Sequence, residues 1–543
     1  MNFLENIFHH LGESAQRPVL QEMRAEGVVR ATGGDLLTEI QAARSFLRQA
    51  GFRKGDRCAL LAANSIRWAA LDLAILAEGG IAVPLYARQA PGELAAMMED
   101  ASPRLICCGD GALRDGVVQS WPDAPPCHDL EEIFSKPLPD AAAVGPPLPL
   151  ADGDPVAIIY TSGTSGEPKG VVLTAGNLNH ILACTTARLN LLMGERTAPE
   201  RVLHYAPFCF AASWILLLSC LSRRSLLSLS TNLSNIASEL RQAAPDYMLN
   251  VPVMLERMRA RIEEQVAQRG GAVRWLFRAA RRDWQRGGSG VWLGLARAVL
   301  FPAIRRAIGP NLQALICGSA PLRPETQEFF WMLGLPVLQV YGLTETTAIC
   351  TMDTPGRIRP GWVGTAIEGT EMKLGPGEEI LVRGPHLFAG YWNRPEATRE
   401  AMRDGWFHTG DQGEVSADGY WRITGRIKNL IVLASGHNVA PEPLEEKLLH
   451  AIAGAQQVML VGNGRSFLGA LITGAVEEQS VRTALEALNA TLPHYKRVHA
   501  FLRIGEPFTI ESGLLTANGK LKRDAIARRY RDELEAMYRK QNA

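Results

Sequence analysis

Between Ile158 and Thr174 the chain reads IIYTSGTSGEPKGVVLT. Three glycines (Gly163, Gly166, Gly170), four hydroxyls (Thr161, Ser162, Thr164, Ser165) and one lysine, Lys169, are gathered there between two β-type runs. Glycine lets backbone amides approach an anion closely, hydroxyls donate further hydrogen bonds and lysine supplies positive charge. The set suits a polyphosphate. It is not a Walker loop, which needs Gly-Lys-Ser/Thr opening a helix, because Lys169 follows Pro168 and precedes Gly170. By composition alone the same letters also make a polar hairpin loop.

Four more segments carry groups that could do chemistry. CGSAPL places Gly318, Ser319 and Ala320 where a neighbour can come close, and reads equally as a β-turn before a helix. YGLTETT sets the Tyr341 ring, Gly342, the Thr344 hydroxyl and the Glu345 carboxylate within five residues, an order that also suits a helix N-cap followed by Glu. Asp411, in GWFHTGDQGEV, is an aspartate of a kind common in turns. Lys520, in LLTANGKLKRDAI, shares a basic run with Lys522 and Arg523 that a solvated face would also explain. No convincing Ser-His-Asp or Cys-His arrangement accompanies them.

The pattern Y-T-S-G-T-[TS]-G-x-P-K-G is similar to the signature of the adenylate-forming superfamily: acyl- and aryl-CoA synthetases, firefly-type luciferases and peptide-synthetase adenylation domains. The other segments follow in the family's order and extend the resemblance from about Asp35 to Arg523. The resemblance implies ATP, Mg²⁺ and CoA (as co-substrate). Thr161, Ser162, Gly163, Thr164, Ser165, Gly166 and Lys169 would hold the phosphates, and Gly318, Ser319 and Ala320 would line the adenine pocket. Tyr341, beside Gly342, would stack on adenine, Thr344 would bond a phosphate, and Glu345 would be the Mg²⁺ carboxylate. Asp411 would accept both ribose hydroxyls, Arg426 would contact ribose and phosphate, and Ile423 would complete the nucleotide site. Lys428 would be the hinge, and Gly436 would lie beside the pantetheine path. Lys520 would bridge substrate carboxylate and α-phosphate, so that Lys520, Glu345, Thr344 and Lys169 form the catalytic set. The implied domains are residues 1–427, for adenylation, and 428–543, a mobile C-terminal unit.

HNVAPEPLEE, VMLVGNGRSFLGALIT and FTIESGLLTANGKLKR most resemble bacterial long-chain fatty acyl-CoA synthetases, as does the extended region Val266–Gly309. The implied reaction joins a medium- to long-chain fatty acid to CoA; the alternative is an acyl- or aryl-adenylate ligase that transfers to an acyl carrier protein or another acceptor. The short stretch from Glu345 to Glu379 leaves little room for the insertion usual in fatty acyl-AMP ligases. One departure is APFCFAASW, which puts Phe210 where many relatives carry a histidine. Phe210 and Trp214 read either as an acyl-tunnel wall or as core aromatics.

Patterning indicates the elements that must hold these residues. Arg57–Ala62, Ile81–Ala87 and Arg104–Cys108 are strand-like, with helical spacing over Arg67–Ala77 and Glu93–Ala101, so parallel β-α-β units and a wound α/β sheet are expected. A Pro-rich connector, Lys136–Pro155, leads into a strand at Val156–Tyr160. More antiparallel segments are expected after Gly361, and a small α+β unit from Lys428, with a helix opening at Pro441 and a single helix from about Asp524.

Composition bounds the partners. Lys and Arg total 57 of the 543 residues against 56 Asp and Glu, so no whole-chain electrostatic case exists for nucleic acid. Nine cysteines without a C-x-x-C pair suggest neither a zinc site nor a disulfide framework, and a reducing compartment fits. The N-terminus does not read as a secretory signal, and the apolar run Phe210–Ser222 is too short to cross about 30 Å of hydrocarbon, so a cytoplasmic protein is expected. Between Arg257 and Arg306, twelve arginines face three acids, with Trp275, Phe277, Trp284 and Trp292 interleaved. Such a segment could rest on the anionic inner face of a membrane, or be a solvated helical face with its aromatics packed inward.

Overall fold

The computed structural model describes residues 1–135, 145–162, 168–194, 196, 198–516 and 519–542. Strand Arg57–Leu61 pairs in parallel with Ile81–Leu85 on one side and Leu105–Cys108 on the other, and helix Ile66–Ala77 makes the crossover. These are the β-α-β units that the alternating pattern predicts, and they belong to a seven-stranded sheet ordered Gly390–Tyr391, Pro168–Thr174, Pro155–Ser162, Ile81–Leu85, Arg57–Leu61, Leu105–Cys108, Cys127–Asp129. A second, nine-stranded sheet is parallel through its centre, where Ala314–Cys317 lies between Tyr247–Asn250 and Val337–Tyr341.

Helices Ile66–Ala77 and Ala211–Leu221 lie in one core shared by strands of both sheets. Both are apolar nearly all round, as a helix covered on every side must be. Helix Ala211–Leu221 is thus the fate of the apolar run Phe210–Ser222, and among the described residues no helix is long and apolar enough to cross a membrane.

After Gly361 the sheet is antiparallel: Glu371–Leu374, Glu379–Arg383, Trp406–Val415, Met402–Arg403 and Trp421–Arg426. The C-terminal region has a core of its own. Leu444 and Leu448 of helix Glu442–Ala451 meet Val458, Ile472 and Val481 there, over the sheet Ala455–Val461, Leu468–Gly474, Val498–Ile504. One expectation is corrected. The last helix is two, Arg523–Arg529 and Arg531–Asn542, broken at Tyr530. The break lets Ile526 join a cluster around Phe508 while Met537 and Tyr538 cover Ala500 farther along the same face of the sheet. The connector Lys136–Pro155 is described from Gly145 onward, and Lys136 to Val144 lie outside the described residues. All nine cysteines are free thiols.

Asp72 is a buried ionisable group of the core with a measurable consequence. It has no exposed surface, and its Oδ2 accepts a 2.9 Å hydrogen bond from Trp214 Nε1 while Oδ1 has no hydrogen-bond partner among the described residues. Burial pushes this carboxyl up to about 7 against the Trp214 hydrogen bond. The neutral form is therefore favoured in the fold, and the stability it brings, present below about pH 4, is lost as the pH rises through 7, up to about 4 kcal/mol at about 1.4 kcal/mol per pKa unit. Asp72→Asn keeps the acceptor and cannot ionise. Urea unfolding of both proteins from pH 5 to 8 is expected to show a steeper loss in the wild type; parallel pH slopes would refute the assignment.

Candidate active site

The hairpin Pro155–Ser162/Pro168–Thr174 places Thr161 opposite Lys169 and Ser162 opposite Pro168. Gly163, Thr164, Ser165 and Gly166, at its tip, lie outside the described residues. Gly170 admits no side chain: a Cβ there would stand 2.6 Å from Ile158 Cγ2. Strand Gly390–Tyr391 pairs with the same hairpin, Tyr391 opposite Val171, and so brings the Tyr391 ring beneath Lys169, whose Nζ lies 5.1 Å from the ring centroid. The Tyr391 hydroxyl then donates to Glu345 Oε1 at 2.7 Å.

Thr344 and Glu345 stand on a single 3₁₀ turn, Thr344–Thr346, rather than at the start of a helix. Thr347 (φ 48°) and Ala348 (φ 80°) end that turn in the left-handed region, and Ser319 (φ 73°) of CGSAPL is there too. Non-glycine residues held at such angles cost of order 1–3 kcal/mol each and cluster at functional sites. Gly342 is required by space, since a Cβ would lie 2.2 Å from the Ala348 carbonyl oxygen. Gly318, just past strand Ala314–Cys317, is likewise pressed against Val340, so CGSAPL and YGLTETT abut at the ends of neighbouring strands.

Asp411 and Arg426 face each other in register on strands Trp406–Val415 and Trp421–Arg426, and Arg426 Nε lies 2.7 Å from Asp411 Oδ1. The Tyr341 hydroxyl donates to Asp411 Oδ2 at 2.8 Å. Burial raises the Asp411 carboxyl overall, against the pull of Arg426, Tyr341 and Lys520. Lys520 reaches this cluster from the C-terminal region. Crowding by protein lowers its ammonium pKa, Arg426 lowers it further, and Asp411 and Glu345 oppose both, although part of the side chain still meets water.

The structure thus brings together Lys169, Tyr341, Glu345, Asp411, Arg426 and Lys520, with Thr344, Gly318, Ser319 and Ala320 on adjoining turns. Ile423 lies on the same strand as Arg426, opposite Gly413. Lys428 sits on the 3₁₀ turn Ile427–Asn429, which leads out of that strand. Gly436 is not with the cluster: it is exposed on the turn between Ile431–Val432 and Asn438–Val439, where a Cβ would meet none of the described residues within 4 Å. Its φ of +82°, not crowding, is what calls for glycine in this arrangement. Trp214 is a core aromatic with no exposed surface, while Phe210 is partly buried with its ring 5.9 Å from Tyr86. Tyr391 was not singled out by sequence; GYWNRPE gives only a strand edge, and the Glu345 contact across the fold carries no local signal.

Glu345 fits a Mg²⁺ that arrives on a triphosphate. One carboxylate oxygen is fixed by Tyr391, the group keeps only 9% of its surface exposed, and Mg²⁺ in such sites takes one or two carboxylates plus phosphate oxygens and waters. Among the described residues no three His, Cys, Asp or Glu side chains gather as a self-sufficient metal cage.

Wound parallel sheets, an antiparallel subdomain and a small C-terminal unit that delivers a lysine define an adenylate-forming architecture. The AMP-binding enzyme family matches residues 8–392, and its C-terminal domain matches residues 428–542; the chain belongs to that family. It is similar to the long-chain-fatty-acid–CoA ligase FadD15 of Mycobacterium bovis, 29% identical over 99% of this chain and 97% of the relative. Among solved structures it is similar to ATP-bound MatB of Rhodopseudomonas palustris (TM-score 0.75, 23% identity, 98% and 99% of the two chains). A Mycobacterium tuberculosis fatty acyl CoA synthetase shares the fold at a TM-score of 0.66 and 22% identity, over 97% and 98%.

The two glycines make a contrast that equilibrium unfolding can read. Gly342→Ala drives a Cβ into backbone and is expected to cost about 3 kcal/mol or more, whereas Gly436→Ala adds only left-handed strain, about 1 kcal/mol. Equal losses would contradict the packing described for Gly342.

Proposed function

We propose that this protein is an ATP-dependent, AMP-forming acid–thiol ligase that activates a medium- to long-chain fatty acid and transfers it to CoA. The observation that carries the reading is the convergence of Lys520 with Arg426, Asp411 and Glu345 beside the YTSGTSGEPKG hairpin. The ligase names of relatives aligned along nearly the whole chain support a fatty acid as the substrate. Residues 1–427 would form the adenylation domain and 428–543 the mobile unit, a division supported by where the two family segments fall.

In the first half, a carboxylate oxygen of the acid attacks the α-phosphorus of ATP. The new O–P bond forms as the bond to the β-phosphate breaks, and pyrophosphate leaves with the electron pair. Lys520 bridges the acid and the α-phosphate and offsets the charge that grows in the pentacovalent transition state. Thr161, Ser162, Lys169 and the loop they flank hold the phosphates, joined by Thr344; Tyr341 and the Gly318–Ala320 turn hold adenine, and Asp411 and Arg426 the ribose. Mg²⁺, held through Glu345, would neutralise phosphate charge. In the second half the small unit turns about Lys428, Lys520 withdraws and Gly436 approaches. The CoA thiolate attacks the acyl carbonyl, and AMP leaves.

AMP release with palmitate, benzoate or acetate, each with and without CoA, tests the assignment. CoA-dependent turnover on palmitate is expected. Adenylate formation without CoA-stimulated release would move the acceptor to a carrier protein, and preference for benzoate would move the acid to aryl substrates. In Lys520→Ala the adenylation half-reaction is expected to fall about 100-fold or more while thioester formation from supplied acyl-adenylate persists. Because Lys520 is held below an ordinary lysine, the wild-type adenylation rate should decline on the alkaline side before a free lysine would titrate.

We propose in addition that the protein is cytoplasmic with peripheral contact at an anionic inner-leaflet surface. What supports it is the helical segment Gly271–Val299. Phe277 is buried and Trp284 packs against Trp331, but Trp275 and Trp292 stand together at the surface, 48% and 41% exposed. Val291, Leu295 and Val299 extend that apolar face, and Arg274, Arg278 and Arg282 are exposed on the neighbouring helix. Co-sedimentation is expected with vesicles containing anionic lipid and not with neutral ones, and charge reversal at Arg278, Arg281 and Arg282 should weaken it about tenfold or more. Unchanged pelleting would refute the contact.

A further inference from the structure

The Lys520 loop is fastened to the large domain by a contact that the chemistry above does not use. Lys522 Nζ forms an ion pair with Glu93 Oε1. Glu93 sits in the first turn of helix Pro91–Ala101, where the helix favours an anion, and Gln89 Nε2 donates to its other oxygen at 2.7 Å. Burial alone would raise this carboxyl; Gln89 and Lys522 hold it low instead. The carboxylate is therefore pre-set to receive a cation.

Lys522 is also rigidly tied to Lys520. The Thr516 N–H donates to the Lys520 carbonyl at 2.8 Å, the Lys520 N–H to Thr516 Oγ1 at 3.0 Å, and the Lys522 N–H to the Leu514 carbonyl at 2.9 Å, with Leu515 bridged to Leu521. Residues two apart in such an extended segment project to the same side. Holding Lys522 thus fixes where Lys520 can point. Glu93 is thus the point on the large domain to which the lysine loop is fastened.

We infer that Glu93 and Lys522 are a positioning pair, a latch that populates the docked orientation in which Lys520 reaches the α-phosphate. This rests on the ligase reading. The latch must open when the small unit turns for the second step, because Lys520 cannot withdraw while Lys522, on the same hairpin, stays paired with Glu93. An interaction made in one orientation only shifts the population between the two. Its loss should therefore slow adenylation and leave thioester formation unchanged or faster, a split that a general structural defect does not produce.

The test measures the half-reactions separately: palmitate-dependent exchange of labelled pyrophosphate into ATP, and CoA-dependent thioester formation from supplied palmitoyl-adenylate. In Glu93→Gln and in Lys522→Gln, exchange is expected to fall about tenfold with thioester formation undiminished. The double variant should be little worse than either single one, because both remove the same contact, and Lys522→Arg should keep exchange within about threefold. Wild-type exchange rates in the single variants would overturn the latch, and so would parallel loss of both half-reactions or fully additive losses in the double variant. Absence of exchange in the wild-type protein would overturn the ligase reading and the latch with it.

Discussion

An ammonium taken partly out of water needs negative charge close by, and the arrangement around Lys520 depends on meeting that need. Asp411 and Glu345 supply it, but each is itself held: Asp411 by Arg426 and Tyr341, Glu345 by Tyr391. The carboxylates come from different parts of the chain, one on the antiparallel sheet and one on a 3₁₀ turn after a parallel strand. The sheet ends and strained turns of the large domain are thus arranged around a charge delivered by a separate core.

That separateness has a physical basis. The C-terminal region buries Leu444, Leu448, Val458 and Ile472 among themselves, so the polar contacts at its face are not needed to keep it folded. Ion pairs and cleft-facing side chains can be exchanged as it moves, whereas a shared apolar core could not be opened at comparable cost.

Much of this was legible in one dimension. Strand–helix alternation over residues 57–108 predicted parallel pairing because each strand is apolar on both faces, and the YTSGTSGEPKG, YGLTETT and NGKLKR segments are long enough to carry a resemblance by themselves. What could not be read were contacts between distant segments. Tyr391 meets Glu345 and Lys169 only because a two-residue strand joins the edge of the hairpin sheet, and Glu93 meets Lys522 across most of the chain. The break at Tyr530 was hidden too, because Ile526, Tyr530 and Leu534 keep helical spacing across it.

Ser319, Thr347 and Ala348 hold left-handed backbone with ordinary side chains, all on turns bordering the cluster. Glycine at any of them would relax the fold, so selection for heat tolerance alone would drift toward glycine there and toward looser turns around the nucleotide. A lineage that retains these three residues is keeping rigidity where the substrate is held at the expense of overall robustness.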